Sequence, residues 1–507
     1  MNLPELASRV SRLPRLPRLP AIASAAVLAV LMTACTQEAK VGHKLDAATK
    51  AYQSGDYAAA EIDLKNVLDL EPGNAQALKM LGLICLDQGN LLDAAALLQP
   101  ALQALPEDRD VVVGFAKTML GMGFKKDAQE QLLALLDRSP EDGEALILLA
   151  DLTPSSETEW LEDVESRALK ALEGGSSDAK LALAVVQLRQ RRIGEAKNRI
   201  EEVLESDPEN VTALTLMGGV LDNQKRSILA VDYLKRASEL SEPRGSEPIL
   251  YANLLMKLDR RDEAVEVVRK VAAETPDFLP AWRTLGAIAF TAKDLDEAEQ
   301  HLAKVFAKAP LDIEATLVQA QIDLEQGEAE AAEERLDKLS SRFPGRPAID
   351  LARARAKLAT DQQDEAASIL DSLLTAAPVM LPEALLIRSE IHLRDNQAAA
   401  AVTRLEDLDR RLQEWIARLD PEQAAGAQEL HARTRRLLAT AYAAADRPED
   451  ALALIRAGAA GRQIRQPEWI AAMPPDRLRY ATRPNPARSI IAAKRAWFGK
   501  RRIDSTR

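Results

Sequence analysis

AVEVVRKVAAETPDFLPAWRTLGAIAFTAKDLDEA, residues 264–298, is one period of this chain read from alanine to alanine. Ala264 and Val268 lie one helical turn apart, Pro276 interrupts, Trp282, Leu285 and Gly286 resume an apolar pattern, and Ala298 stands 34 residues after Ala264. The punctuation continues in both directions. Pro72, Pro106, Pro140, Pro208, Pro276, Pro310, Pro344 and Pro378 all fall on one 34-residue ladder, a period that belongs to arrays of helix-turn-helix units. Two rungs lack proline: Gly174 and Glu242, the latter followed by Pro243. Proline has no amide proton and clashes with the preceding turn, so each rung ends the second helix of a unit. Two residues later Asn74, Asp108, Asp142, Ser176, Asn210 and Asp312 are placed to cap the next helix.

Twelve residues before the rungs lie Ala60, Ala94, Ala128, Ala196, Ala230, Ala264, Ala298, Ala332, Ala366 and then Ala400, with Glu162 the exception. Two helices approach within about 8–10 Å only where the residue at the contact is small, which accounts for the alanines. Eight residues before the rungs come Leu64, Leu98, Leu132, Ile200, Leu234, Val268, Leu302, Leu336 and Leu370, aliphatic side chains that fill the space beside them. Ten residues after the rungs Gly82, Ala116, Ala150, Ala184, Gly218, Ala252, Gly286, Ala320 and Ala354 make a second close-approach position. Composition agrees: 47% hydrophobic and 28% charged, with 22 glycines and 26 prolines spread as punctuation. In such an array each unit packs on its neighbours, so a single core extends along 507 residues without long-range closure.

Trp282, Leu285 and Gly286 match the W-x2-L-G opening of the tetratricopeptide repeat. The chain resembles that family over residues 41–414, about eleven repeats. The resemblance implies an all-α fold, a tetratricopeptide-repeat superhelical solenoid of antiparallel helix pairs whose first helices line the concave face. The family's aromatic positions are mostly aliphatic here, aromatics being 4% of the chain, so the packing is by leucine. Residues 415–464 read as a lengthened helix and a last repeat-like unit, with Asp420 and Pro421 as cap and first-turn proline. Inside the array Pro154, Ser155 and Ser156 end the first helix of the fourth unit early, and Trp160 follows. A bend, a recognition loop and a degenerate repeat are all open readings there.

Residues 1–35 have the layout of a secretory leader: Arg9, Arg12, Arg15 and Arg18 precede the apolar run Ala21 to Met32, then Thr33, Ala34 and Cys35. The run falls short of the roughly 20 residues that a membrane span needs. Its end resembles the lipobox of bacterial lipoproteins, where a small residue precedes a cysteine that is lipidated and becomes the mature N-terminus. Met32 stands where leucine is usual. Ordinary cleavage after Ala34 competes, but it would put bulky Met32 where a small residue is wanted. The resemblance implies lipidation at Cys35 and a membrane anchor of several acyl chains. With Thr36 rather than aspartate next, it also implies a place at the outer membrane facing the periplasm. Residues 36–44 read as a tether. Cys85 is then the one other cysteine, so no disulfide is expected. It falls on the inward stripe of its helix, the place of a buried, inert thiol.

The formal net charge is −12. The tail carries Arg483, Arg488, Lys494, Arg495, Lys500, Arg501, Arg502 and Arg507 against Asp504, a balance of +7, and the leader +3, which leaves −22 for residues 36–482. So acidic a body argues against a nucleic-acid binder. Residues 465–507 read as an irregular segment ending in this basic tail, where Ile490, Ile491, Trp497 and Phe498 accompany the cations. Contact with anionic lipid or an acidic partner, and folding back on the acidic array, are equally open.

No reaction centre is legible. The chain has no G-x-S-x-G, Walker loop, H-E-x-x-H or paired C-x-x-C, and His43, His301, His392 and His431 are scattered over separate units. Glu297 and His301, one helical turn apart, read as a surface pair. The reading is therefore not an enzyme, with no cofactor and no metal. What remains is a protein-binding concave face, for which Tyr52, Lys79, Leu86, Lys117, Leu120, Met256, Arg283, Phe290 and Leu324 are the candidates. For each apolar member, packing between repeats is the competing role.

Tyr52-Gln53-Ser54-Gly55-Asp56-Tyr57 and Asp63-Leu64-Lys65-Asn66-Val67-Leu68 resemble tetratricopeptide lipoproteins of the PEP-CTERM/exosortase system, over the N-terminal third. That resemblance implies a scaffold in envelope protein sorting or exopolysaccharide export. A lipoprotein for pilus or outer-membrane complex assembly, and an array presenting a functional C-terminal segment, are the alternatives.

Overall fold

The computed structural model describes residues 39–154, 157–376, 381–417 and 424–460. Twenty-four helices account for nearly all of them, and no strand occurs among the described residues. Cys35, Pro378, Asp420, Pro421 and the segment 465–507 lie outside the described residues. The tether expected at 36–44 is shorter than its reading, because residues 39–53 are already helical. Val41 and Ala48 of that helix are buried against Ala60 and Leu64, which gives it an apolar face to order it.

Helices alternate as pairs. Regular first helices run 13 residues, as in Ala75–Asp87, Arg109–Gly121 and Ser177–Arg189. Regular second helices run 14, as in Tyr57–Leu70, Leu91–Ala104 and Ile193–Ser206. The prolines at 72, 106, 140, 208, 276 and 344 stand two residues past a second helix, and all six expected caps form. Asn74, Asp108, Asp142, Ser176, Asn210 and Asp312 accept from the amides of Ala77, Val111, Ala145, Ala179, Ala213 and Ala315 at 2.9–3.2 Å. Each satisfies one of the amides that a helix start leaves without an intrahelical acceptor.

The turn inside each pair has a ladder of its own. Gly55, Gly89, Gly123, Arg191, Lys225, Asp259, Lys293, Gly327 and Asp361 share one 34-residue register and all take positive φ, between 59° and 84°. This left-handed residue closes the first helix and reverses the chain.

The two helices of a pair play different parts. Second helices are amphipathic and bury one stripe, such as Ala94, Leu98 and Ala101. First helices are buried nearly all round: Arg109–Gly121 buries Val111 through Ala116, and Ser177–Arg189 buries Leu181 through Gln187. They are the inner layer, touching their own partner and also the next first helix, as Gly143–Leu152 does with Ser177–Arg189.

The close-approach ladder is literal. A Cβ built on Gly82 would meet Leu98 Cγ at 2.7 Å, on Gly218 Leu234 Cδ2 at 2.6 Å, and on Gly286 Leu302 Cδ2 at 2.8 Å. The glycine of one helix thus seats the leucine of the next.

One rung is corrected, and the known exception is explained. Ala400 is not the deeply buried small residue of its helix; Ala401, one position on, is fully buried. The left-handed residue has moved too, to Asn396, 35 rather than 34 after Asp361. One additional residue between the helices Gln363–Ala376 and Pro382–Arg394 accounts for both shifts. Glu162 is exposed because the helix Thr158–Glu173 has slid by two residues, putting Val164 and Ala168 where regular units place alanine and leucine. Trp160 lies 40% exposed at its start.

The chain divides into two compact units, Met1–Val220 with Leu229–Ala281 and Leu221–Ile228 with Trp282–Arg507. In the second unit the cores follow the repeats, one cluster centring on Ala320, Ala332, Leu336 and Ala356, another on Ala366, Leu370 and Ile387, and a third on Leu405, Leu408 and Leu438. Two longer helices follow, Ala398–Ala417 with 20 residues and Ala424–Ala444 with 21.

Candidate functional site

Six of the nine candidate positions prove to be one register. Tyr52, Leu86, Leu120 and Met256 in the first unit, and Phe290 and Leu324 in the second, recur at multiples of 34 residues near the ends of successive first helices. Every one is half-buried. Such a position is half covered by its neighbours and half open, so the packing and binding roles coexist. Leu324 leans furthest to packing, lying against the cluster of Ala320, Leu336 and Ala356. Tyr52 stacks on Tyr57 with ring centroids 5.4 Å apart and planes within 6°. Phe290 has the Lys293 ammonium 5.3 Å above its ring.

The three cations do not stand free. Lys79 Nζ donates to Asp108 Oδ1 and Oδ2 at 2.8 Å and to Asp110 at 2.9 Å. Arg283, six repeats on at the same register, pairs with Asp312 at 3.3 Å and Glu314 at 3.2 Å. In both cases the cation of one first helix meets the N-cap aspartate and the following acid of the next first helix. Lys117 pairs with Glu144, which Arg109 also reaches at 2.8 Å. These cations tie neighbouring repeats together, the acids they meet standing 27 to 31 residues away.

Burial and pairing compete at these carboxylates. Burial works against ionising Asp108, but its hydrogen bonds from Lys79 and the Val111 amide prevail and hold the carboxyl below its ordinary range. Glu144 is lowered in the same way, with Lys117 and Arg109 outweighing burial. At Asp312 burial wins: the carboxyl is pushed up despite Arg283.

Elsewhere the chemistry is sparse. His301 Nε2 lies 3.5 Å from Glu297 and its imidazole 5.7 Å from the Trp282 ring, so the pair expected at the surface forms half-buried, with the His301 side chain 16% exposed. Cys85 is buried, as its inward stripe required. Among the described residues no group of three His, Cys, Asp or Glu side chains could hold a metal ion, and no helix is long and apolar enough to cross a membrane.

Spacing missed a cluster at Tyr57, Asp87, Gln88, Arg244 and Asp277, where Arg244 lies 4.0 Å above the Tyr57 ring and Gln88 reaches Asp277 across 189 residues. No periodic signal could reveal it, since its two sides meet only through the curvature of the stack.

No curated protein sequence matches the chain. Among solved structures it is similar to yeast Tom70, with 15% identity and a TM-score of 0.44, covering 79% of this chain and 96% of that one. It is also similar to a tetratricopeptide repeat protein from Parabacteroides merdae ATCC 43184, with 18% identity and a TM-score of 0.35, covering 48% and 98%. The family matches lie at residues 45–109, 181–243 and 251–313 for one form of the tetratricopeptide repeat, and at 85–152 and 289–356 for a second. Together they cover more than half of the chain, and they coincide with the helix pairs, caps and glycine–leucine contacts described above: this is a tetratricopeptide repeat protein, built of modules that serve protein–protein interaction.

Proposed function

We propose that the chain is a lipid-anchored scaffold of the bacterial cell envelope, attached through Cys35 to the outer membrane and facing the periplasm. In this reading it lays segments of partner proteins along its first helices during assembly, sorting or exopolysaccharide export. The observation that supports the binding role is the half-buried line of Tyr52, Leu86, Leu120, Met256, Phe290 and Leu324 at one register. A peptide lying along the first helices of Tyr52, Leu86 and Leu120 meets an apolar foothold at three consecutive repeats, the arrangement by which grooves bind extended or helical segments. Because the adjacent cations are occupied by acids of the next repeat, selectivity falls to these apolar positions and to the acidic surface around them.

Photo-crosslinking in living cells tests the surface. A crosslinking side chain at Leu120, Met256 or Phe290 captures a defined partner, while the same group at Ile62, 64% exposed on a second helix, does not. Equal capture at both would remove the groove from the account. The anchor is tested separately by Cys35→Ser, which abolishes incorporation of labelled fatty acid and moves the protein from the membrane to the soluble fraction. A variant that stays membrane-bound overturns lipid attachment and leaves the groove untouched.

A further inference from the structure

An array of this type needs only contacts between neighbouring repeats, yet the first unit contains one that spans 189 residues. The Leu279 amide donates to the Gln88 carbonyl at 2.9 Å. Leu279 opens a helix and so has no intrahelical acceptor, while Gln88 caps the end of Ala75–Asp87 and its carbonyl has no intrahelical donor. The loose end of one helix thus meets the loose start of another more than five repeats away.

Polar groups converge on the same spot. Gln88 Nε2 donates to Glu61 Oε1 at 2.7 Å and to Asp277 Oδ2 at 3.3 Å. Arg244 Nη2 donates to both oxygens of Asp277 at 2.8 Å, and its guanidinium lies 4.0 Å above the Tyr57 ring. The Tyr57 hydroxyl donates to Asp87 Oδ2 at 2.7 Å, and Tyr52 stacks behind it. Burial pushes the Asp87 carboxyl up, opposed by the Tyr57 hydroxyl, Lys117 and Arg244 and reinforced by Glu242.

The arrangement follows from the geometry of a coiled ribbon. One edge is made of the turns within pairs, here residues 87–90, and the other of the turns between pairs, here 241–246 and 275–279. After one turn of the coil, opposite edges face each other. We propose that this contact is a releasable clasp that closes the first unit on itself, and that its release widens the concave face lined by Tyr52, Leu86, Leu120 and Met256. Two features make it releasable. The groups that join the two sides are polar and partly solvated, the Arg244 and Asp277 side chains keeping 17% and 24% of their exposure. The leucine and alanine cores on the near side, around Leu64, Ile84 and Leu98, draw only on adjacent repeats. Opening therefore leaves every repeat folded.

Leu279 supplies the reporter. In residues 276–281 two positions are proline, so few amides contribute, and the Leu279 amide is protected through Gln88. Amide exchange of the full chain should show this segment slowed relative to an unstructured peptide. Arg244→Ala, which removes the cation–π contact to Tyr57, and Asp277→Ala, which removes the acceptor of Gln88, should each accelerate it by up to about tenfold, the strength of one such contact across the clasp. Exchange within Arg261–Glu274 should stay unchanged. Wild-type protein moved to about 1 M salt should shift the same way without any substitution, because these charges are screened. In small-angle scattering the radius of gyration should rise in Arg244→Ala. Wild-type exchange as fast as a free peptide, or unchanged exchange in both variants, would show that no clasp operates. Faster exchange with no expansion would overturn its control of the groove.

Discussion

The second repeat, Ala75–Ala104, and the fourth, Gly143–Glu173, solve one packing problem in two ways. In the second, helices of 13 and 14 residues cross where Gly82 admits Leu98, and the buried stripe reads Ala94, Leu98, Ala101. In the fourth, the first helix stops at Leu152 after ten residues, and its partner runs for sixteen. That partner's stripe reads Leu161, Val164, Ala168, Ala171, so bulk missing at the leucine position returns one turn earlier. The array then resumes on register at Ser177. The difference teaches that helix crossing, not residue count, is what the stack conserves. A helix can slide by two residues provided small and large side chains redistribute along it.

The largest effect comes from breaking the regular crossing. Leu98 is fully buried against Gly82, and Leu98→Ala should cost about 2–5 kcal/mol, read as a fall in the denaturant midpoint and faster exchange in the adjoining helices. The converse test belongs to the fourth unit. Ala168→Leu restores the regular residue type, but Leu161 and Val164 already occupy the space, so it should cost about 1–3 kcal/mol by overpacking. A neutral Ala168→Leu would mean that the helix has not slid.

Caps sharpen the comparison at the next size down. Asn74→Ala and, on an Arg109→Met background that has already lost its ion pair with Asp142, Asp142→Ala each remove one bond to a helix-start amide, worth about 0.5–2 kcal/mol. The loss should be greater at Asp142, because a ten-residue helix has fewer turns over which to share it. Exchange at Ala145 against Ala77 measures the two directly. Equal losses would show that neighbouring first helices, not the cap, hold the short one.

The fold was legible because its determinants are local and periodic. Proline at Pro72, Asn74 two residues later and Gly82 opposite Leu98 act within one repeat, and 34-residue spacing multiplies the signal. The left-handed ladder was less visible, because Arg191, Lys225, Asp259 and Lys293 hold a conformation that glycine marks at Gly55 and Gly89. At Glu162 the exception was visible but its cause was not, since a slid helix breaks spacing while keeping contact. Of the candidate site, the half-buried register was readable from the same period. The tie between Lys79 and Asp108 was not, because a charged residue on an inner helix gives no sign of whether a partner or the next repeat will meet it. The cluster at Arg244 and Gln88 was beyond any local pattern, its sides being joined only by the coiling of the whole unit.

The smallest effect separates two charge pairs that share one register. Lys79→Met should lower stability by no more than about 1 kcal/mol at neutral pH, since the pair is partly solvated. Asp108 sits below its ordinary carboxylate range when folded, so the pair's contribution is present above the unfolded value near 3.9 and lost as pH falls through the folded one. The gap between wild type and Lys79→Met in denaturant midpoint should therefore be flat around neutrality and narrow below pH about 4. Arg283→Met should behave differently. Burial dominates at Asp312 and raises its carboxyl, so removing Arg283 strands a buried charge that protonation relieves at a higher pH than at Asp108. Its gap should begin to close earlier on acidification. Superimposable pH profiles for the two variants would mean that the aliphatic stems of Lys79 and Arg283 matter through packing alone, and that the recurrent cation of the inner helices is a spacer rather than an electrostatic tie.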